Sequence, residues 1–240
     1  MYSYKARVRY SETDENLFLT PVGLLNYFQD CCSFHSEDVG VGVEFHKERK
    51  LVWVISSWQI IINRYPTLAE YITTNTKLYD YKGCFAFRNF SMLDENGEVL
   101  AYANAQYTLI STENNMPKNP INEMKEKYVI EERLDMEYAP RKIVVTEGGE
   151  KRTPIEIKAH HLDTNNHVNN GQYIRFAFDT LKAKDQVLKE NVLQIRAQYK
   201  KAAVLGNTLY PRVINGENIV IISLEDAKGT PYAIVELKGK

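Results

Sequence analysis

The sequence predicts an α+β protein made of two similar halves, each wrapping a curled antiparallel sheet around one helix. A segment that runs from an extended stretch through a polar loop into an amphipathic helix occurs once in each half. Long alternating strands follow each of these helices. Neither half contains further helical segments that could form the crossovers of a parallel sheet, which excludes a βαβ arrangement.

The repeated segments are residues 10–30 and 158–178. Superposing Gly23 on Gly171 relates the two segments by an offset of 148 residues. Each segment therefore starts an independent unit, and we expect two domains related by approximate two-fold symmetry.

The helix starts carry recognisable capping residues. Thr20 suits an N-cap and Pro21 suits a first helical turn, whereas Asn169 or Asn170 can cap the second helix. The two helices are therefore predicted to begin near Pro21 and Asn170.

Four strands follow each helix, and a turn ending in glycine joins the last two strands of each half, at 94–97 and 226–229. The predicted strands are 51–62, 73–81, 84–93 and 99–110 in the first half, and 193–201, 208–214, 218–225 and 232–238 in the second. This order predicts a first domain over 1–112, a linker over 113–152 with one short helix near 121–132, and a second domain over 153–240.

The composition of the chain argues against several classes of protein. The 240 residues contain 30 Lys and Arg against 31 Asp and Glu, without the basic excess of a nucleic-acid-binding domain. No stretch approaches the roughly 20 apolar residues of a membrane helix, and the start lacks the apolar core of a signal peptide. The three cysteines, Cys31, Cys32 and Cys84, form no disulfide or zinc pattern and are expected to be small apolar fillers. A cytoplasmic protein without metal or cofactor is expected.

The run LDTNNHVNNGQYI at 162–174 carries the candidate chemistry. In an extended chain, Asp163, Asn165 and His167 project to the same side, just before the N-terminus of a helix. Imidazole is an acid or base near neutral pH, a carboxylate can orient it, and a helix N-terminus favours a developing oxyanion.

Two other interpretations of this run stay open on the residues alone. It could be a polar turn whose side chains satisfy loop backbone. A metal site is disfavoured, because His160 and His161 are adjacent in a predicted strand and face opposite sides. At the offset of 148, the first half has Glu15, Leu17 and Leu19 instead of the polar groups, which suggests a lining for something apolar.

These residues resemble the D-x-N-x-H-V-N-N-x-x-Y signature of the acyl-acyl carrier protein thioesterases, and the resemblance extends along nearly the whole chain. It implies two tandem hot-dog domains packed as a pseudo-dimer, and release of free fatty acids from acyl carrier protein. It also implies that Asn165 and His167 contact the thioester carbonyl or the attacking water, with Asp163 orienting them.

The chain departs from the family at one place. Plant relatives carry a Glu-Cys pair after Tyr-Arg-Arg, whereas this chain has Ala202 and Ala203 after Tyr199-Lys200-Lys201. A cysteine nucleophile at that place is excluded, and direct attack by water is expected, without an acyl-enzyme.

The implied partner is acyl carrier protein, whose phosphopantetheine arm would lead the acyl chain to His167. An acidic carrier requires a basic docking face, for which the second half offers Lys182, Lys184, Lys189, Arg196, Lys200, Lys201 and Arg212. The acyl chain would lie against apolar residues such as Leu24, Phe28, Trp53 and Trp58. An acyl-CoA thioesterase of the same fold and a non-catalytic acyl-binding module are the alternatives, and whether the chain forms a homodimer is left open.

Overall fold

The computed structural model describes residues 1–181 and 192–239. Within them the chain divides into two compact units. The first unit contains Met1–Ser56 and Asn63–Tyr138, and the second contains Ser57–Ile62 and Ala139–Lys240. No helix in the described part of the chain is long and apolar enough to cross a membrane.

Both units combine an antiparallel sheet with one main helix, so the predicted α+β class is confirmed. The helices are α1 Pro21–Asp38, α2 Val43–Glu48, α3 Asn122–Lys127 and α4 Asn170–Asp179. The strands are β1 Tyr2–Arg7, β2 Leu51–Ile62, β3 Tyr71–Lys82, β4 Phe85–Leu93, β5 Val99–Ser111, β6 Glu150–Lys151, β7 Ile155–Glu156, β8 Gln194–Tyr199, β9 Thr208–Asn215, β10 Ile219–Glu225 and β11 Pro231–Lys238.

In the first unit the strand order is β1, β3, β4, β5 and then the first half of β2. The strands that were predicted for this half agree with β2 to β5 within two residues at each end. Helix α1 packs on β1 and β3 and buries an apolar face that includes Leu24, Leu25 and Phe28.

In the second unit the second half of β2 is followed by β8, β11, β10, β9 and β6, with β7 paired to β9. Strands β8 to β11 agree with the predicted strands within two residues. Helix α4 packs on β10 and β11, with Tyr173, Ile174 and Phe176 on its buried face.

The helix starts are where the capping residues predict them. The Thr20 hydroxyl accepts the Gly23 N–H at 3.0 Å, and Pro21 is the first residue of α1. The Asn169 side chain accepts the Gly171 N–H at 2.8 Å, and α4 begins at Asn170. Local capping chemistry therefore determines both starts.

The segment after α3 lies on the sheets and is held by buried side-chain amides. In the first unit, Asn89 Oδ1 accepts the Leu134 N–H at 2.9 Å and the Tyr138 hydroxyl at 3.0 Å. In the second unit, Gln198 Oε1 accepts the Ile143 N–H at 3.2 Å. A buried amide must be paired to avoid a desolvation penalty, so each amide and the chain above it stabilise each other.

Candidate functional site

The candidate residues lie in a tight loop between a 3-10 turn and α4. The Asp163 N–H donates to the His167 carbonyl oxygen at 2.7 Å, and Leu162 bridges to Val168. Asn166 has a φ of 59°, in the left-handed region that asparagine tolerates. The extended conformation predicted for 163–167 is therefore wrong, because the chain reverses direction within these five residues.

The Asp163 carboxylate closes this loop. Its Oδ1 accepts the backbone N–H of Asn165 at 2.8 Å and that of His167 at 3.2 Å. The side chains of Asn165 and His167 are exposed, whereas Asp163 is half-buried. In the described part of the chain, the three side chains share one loop but form no hydrogen bond with one another.

The end of β8 and the chain that follows it, as far as Ala203, anchor the loop. The Val168 N–H donates to the Ala203 carbonyl at 2.9 Å, and the Ala203 N–H donates to the Tyr173 hydroxyl at 2.8 Å. The Tyr199 hydroxyl donates to the Asn170 carbonyl at 3.1 Å. Burial is the main reason why the pKa of Tyr173 is raised to about 12, so this hydroxyl stays protonated. Sequence reasoning placed Tyr173 only on the buried helix face and missed this anchoring role.

The first unit contains the same loop at an offset of 149 residues, so the predicted offset of 148 is wrong. Asp14 Oδ1 accepts the Asn16 N–H at 2.9 Å and the Phe18 N–H at 3.0 Å. Its N–H donates to the Phe18 carbonyl at 2.9 Å, and Leu17 has a φ of 64°. The residues equivalent to Asp163, Asn165 and His167 are therefore Asp14, Asn16 and Phe18, not Glu15, Leu17 and Leu19.

The incorrect offset of 148 results from matching Gly23 with Gly171, although the two glycines are not structurally equivalent. A Cβ on Gly23 would lie 2.7 Å from Leu19 Cδ1 and 3.2 Å from the Glu12 carbonyl oxygen, so this glycine allows close packing in the first unit. Its equivalent at the offset of 149 is Gln172. The two loops consequently differ in chemistry at one of the three candidate positions, where phenylalanine replaces histidine.

Comparisons with known proteins identify the family. The model of the acyl-ACP thioesterase N-terminal domain matches residues 1–128, and that of the C-terminal domain matches residues 146–229. The chain belongs to the acyl-ACP thioesterase family.

A chloroplastic acyl-[acyl-carrier-protein] hydrolase of Cuphea viscosissima is 22% identical over 201 residues, which cover 78% of this chain and 47% of that protein. A second such hydrolase from the same plant is 24% identical over 235 residues, covering 87% of this chain and 57% of that protein. The chain thus spans about half the length of the curated relatives it matches.

Solved structures confirm the fold of this acyl-ACP thioesterase family member as the tandem hot-dog fold. An acyl-ACP thioesterase from Bacteroides thetaiotaomicron has a TM-score of 0.87 at 21% identity, covering 99% of this chain and 97% of that one. A 12:0-ACP thioesterase from Umbellularia californica has a TM-score of 0.86 at 17% identity, covering 100% and 96% of the two chains.

Ala202 and Ala203, which are predicted to stand where plant relatives carry Glu-Cys, adjoin the loop through the contacts of Ala203. In this family member Ala202 is exposed and Ala203 is fully buried. Neither position supplies a carboxylate or a thiol. All three cysteines lie in the first unit, where burial raises the pKa of Cys31 to about 12.

The residues predicted to line an acyl slot are mostly core. Leu24, Phe28 and Trp58 are fully buried, and Trp53 is half-buried. Their predicted role stays a prediction.

His160 and His161 lie in a 3-10 turn rather than in the predicted strand. Their rings are only 4.1 Å apart, so the argument that they face opposite sides is wrong. In the described part of the chain, no group of three or more His, Cys, Asp or Glu side chains is placed to hold a metal ion.

Two of the basic residues predicted to dock the carrier instead hold the chain together. Arg196 pairs with Glu236 at 2.8 Å and donates to the Pro140 carbonyl at 2.5 Å. Arg212 pairs with Glu225 at 2.7 Å and donates to the Gly148 carbonyl at 2.7 Å.

The other predicted docking residues differ in their surroundings. Lys201 lies 3.7 Å from Asp226, whereas Lys200 is exposed. Lys182, Lys184 and Lys189 lie outside the described residues. The docking face as predicted is therefore wrong for Arg196 and Arg212, whose side chains are 13% and 22% exposed.

Proposed function

We propose that this protein hydrolyses acyl thioesters of acyl carrier protein and releases free fatty acids. The observation that carries the proposal is the loop at 163–167, which exposes the side chains of Asn165 and His167 just before the N-terminus of α4. Membership of the family and the anchoring of the loop to Ala203 support the same function.

In the proposed reaction, the His167 imidazole takes a proton from a water molecule as that water attacks the thioester carbonyl carbon. The Asn165 amide and the N-terminus of α4 stabilise the negative charge that develops on the carbonyl oxygen. The C–S bond then breaks, and the departing sulfur of the phosphopantetheine arm takes the proton from His167. The products are a fatty acid and the carrier thiol, and no cysteine takes part.

Asp163 acts in this proposal mainly by position. Because its Oδ1 accepts the N–H groups on either side of Asn166, it fixes the directions in which the side chains of Asn165 and His167 leave the loop. Its negative charge also stabilises the imidazolium that forms during the reaction.

Location and partner follow as proposals. Three unpaired cysteines are typical of a reducing compartment, which supports a cytoplasmic enzyme. The substrate is the carrier with its acyl chain on the phosphopantetheine thiol.

The test uses the two equivalent loops as matched pairs. We expect His167→Ala to lower kcat/KM by about 10²–10⁴-fold and Asn165→Ala by about 10²–10³-fold. The control variants Phe18→Ala and Asn16→Ala change the same loop positions in the first unit and should keep wild-type rates. The measurement is release of the carrier thiol, with thermal unfolding curves for all four variants. Near wild-type rates for both second-unit variants would disprove the assignment of the site.

A further inference from the structure

A group of basic side chains lies beside the candidate loop in the second unit. We define the basic cluster as Lys158, His160, His161 and Arg175. The Lys158 N–H donates to His161 Nδ1 at 3.0 Å, and the rings of His160 and His161 are 4.1 Å apart. The His161 ring packs edge-on against Phe176, the neighbour of Arg175, at 4.9 Å.

The basic cluster adjoins the loop through the backbone. The His161 carbonyl accepts the Asn169 N–H at 2.9 Å, two residues beyond His167. Lys158, His160 and Arg175 are exposed. The basic cluster is thus tied to the backbone that immediately follows His167.

In the part of the chain that the structure describes, no carboxylate forms an ion pair with Lys158 or Arg175. The pKa of His161 is lowered first by partial burial and then by its neighbours His160, Lys158 and Arg175. The nearby N-terminus of α4 contributes further positive potential.

The first unit shows that the fold does not require this charge. The residue equivalent to His161 is Glu12, which accepts the Arg9 N–H at 3.0 Å and pairs with the Arg9 guanidinium at 3.6 Å. Asn26 stands in place of Arg175. The charge of Arg9 in the first unit is paired with Glu12, whereas the basic cluster in the second unit has no such ion pair among the described residues. This difference indicates that the charge of the basic cluster has a function other than stabilising the fold.

We infer that the basic cluster is the docking surface for the carrier, an acidic protein whose phosphopantetheine arm then reaches His167. This inference rests on the proposed function. Exposed charges at the edge of an interface mainly affect association and its salt dependence, so the cluster should act on KM rather than on kcat.

The test compares two double charge reversals of equal net charge. Lys158→Glu with Arg175→Glu reverses the basic cluster's permanent charges. The control, Lys228→Glu with Lys238→Glu, reverses two exposed lysines elsewhere in the same unit. Each variant is assayed with one saturated acyl group on acyl carrier protein and on N-acetylcysteamine, a small thioester without a carrier.

For the first variant we expect about a tenfold rise in KM for the acyl carrier protein substrate and a weaker salt dependence of kcat/KM. Hydrolysis of the small thioester should not change. The control variant should behave as wild type with both substrates.

Other outcomes separate the two hypotheses. An equal loss with both substrates, an unchanged KM for the carrier substrate or a larger effect of the control would overturn the docking surface. If the wild-type protein hydrolyses neither thioester, the proposed function fails. Docking is then judged by titrating fluorescently labelled acyl carrier protein with wild type and both variants. Weaker binding by the cluster variant alone supports the surface, and any other result rejects it.

Discussion

The loops at 14–18 and 163–167 follow the same path in two different units. In both, an aspartate accepts the N–H groups two and four residues ahead, and the residue before the last has a positive φ. Both have an exposed asparagine at the third position, but the last residue is Phe18 in one loop and His167 in the other. The loop geometry is therefore a property of the fold, and of the three candidate positions only the last, Phe18 or His167, differs between the two loops.

Two hairpins without candidate catalytic residues are closed in the same way, by an aspartate that accepts two backbone N–H groups. Asp94 Oδ1 accepts the N–H groups of Asn96 and Glu98, each at 2.9 Å. Asp226 Oδ1 likewise accepts those of Lys228 and Thr230, at 2.9 and 3.0 Å. An aspartate in this setting closes a loop wherever it occurs, so the presence of Asp163 in the loop is not by itself a sign of catalysis.

The largest expected effect separates the charge of Asp163 from its role in loop closure. Asp163→Asn keeps an oxygen that can accept the same two N–H groups but removes the negative charge that stabilises imidazolium. We expect kcat/KM to fall by about 10²-fold or more. Asp14→Asn, the matched change in the first unit, should leave kcat/KM within twofold of wild type, roughly the scatter expected of a surface change. Both are measured with the acyl carrier protein substrate.

A wild-type rate for Asp163→Asn would show that Asp163 contributes loop closure alone. A loss of activity in Asp14→Asn as large as in Asp163→Asn would show that the first loop takes part in the reaction, and that the contrast between Phe18 and His167 is misleading.

Hydrophobic periodicity, turns and caps were sufficient to predict the strands and both helix starts. They failed at 163–167, because the i, i+2 rule requires an extended chain and Asn166 adopts a positive φ. The correct offset was visible in the sequence, since Asp-x-Asn occurs at both 14–16 and 163–165, but the alignment relied on Gly23. The anchoring of Arg196 by Glu236 and by distant carbonyls depends on tertiary contacts that no local pattern contains.

The two units also differ in their buried ionisable groups, and this predicts a pH effect on stability. In the first unit, burial and then the Arg88 guanidinium, which is 3.1 Å from His35 Nδ1, lower the pKa of His35 to about 4. Because the native state binds a proton less readily than the unfolded state, the free energy of unfolding should decrease as the pH falls from about 6.5 to about 4. Since His35 is only half-buried, we expect a loss on the order of 1–2 kcal/mol.

Urea denaturation between pH 7 and pH 4 measures this effect. His35→Gln keeps an acceptor for Arg88 but cannot titrate, so its stability should depend less on pH over the same range. In the second unit, His160→Gln changes an exposed histidine and serves as the control. An equal pH dependence in wild type and His35→Gln would show that other groups dominate acid destabilisation.

The smallest expected effect concerns the positive φ that the four aspartate loops share. Glycine occupies this place in two hairpins, as Gly97 and Gly229, whereas the other loops have Leu17 and Asn166. A left-handed conformation costs a residue such as leucine roughly 1–2 kcal/mol, and asparagine tolerates it better. Leu17 is 46% exposed, so removing its side chain costs little buried apolar surface.

Leu17→Gly should therefore stabilise the protein by about 0.5–1 kcal/mol, because relief of strain exceeds the greater entropy that glycine gives the unfolded chain. Asn166→Gly should change stability by less than about 0.5 kcal/mol, since asparagine begins with less strain. The reverse changes, Gly97→Ala and Gly229→Ala, should each destabilise. Urea midpoints at unchanged m-values measure all four. Destabilisation by Leu17→Gly would show that contacts of the Leu17 side chain stabilise the protein by more than its positive φ costs. The four loops would then be less alike than their hydrogen bonds indicate.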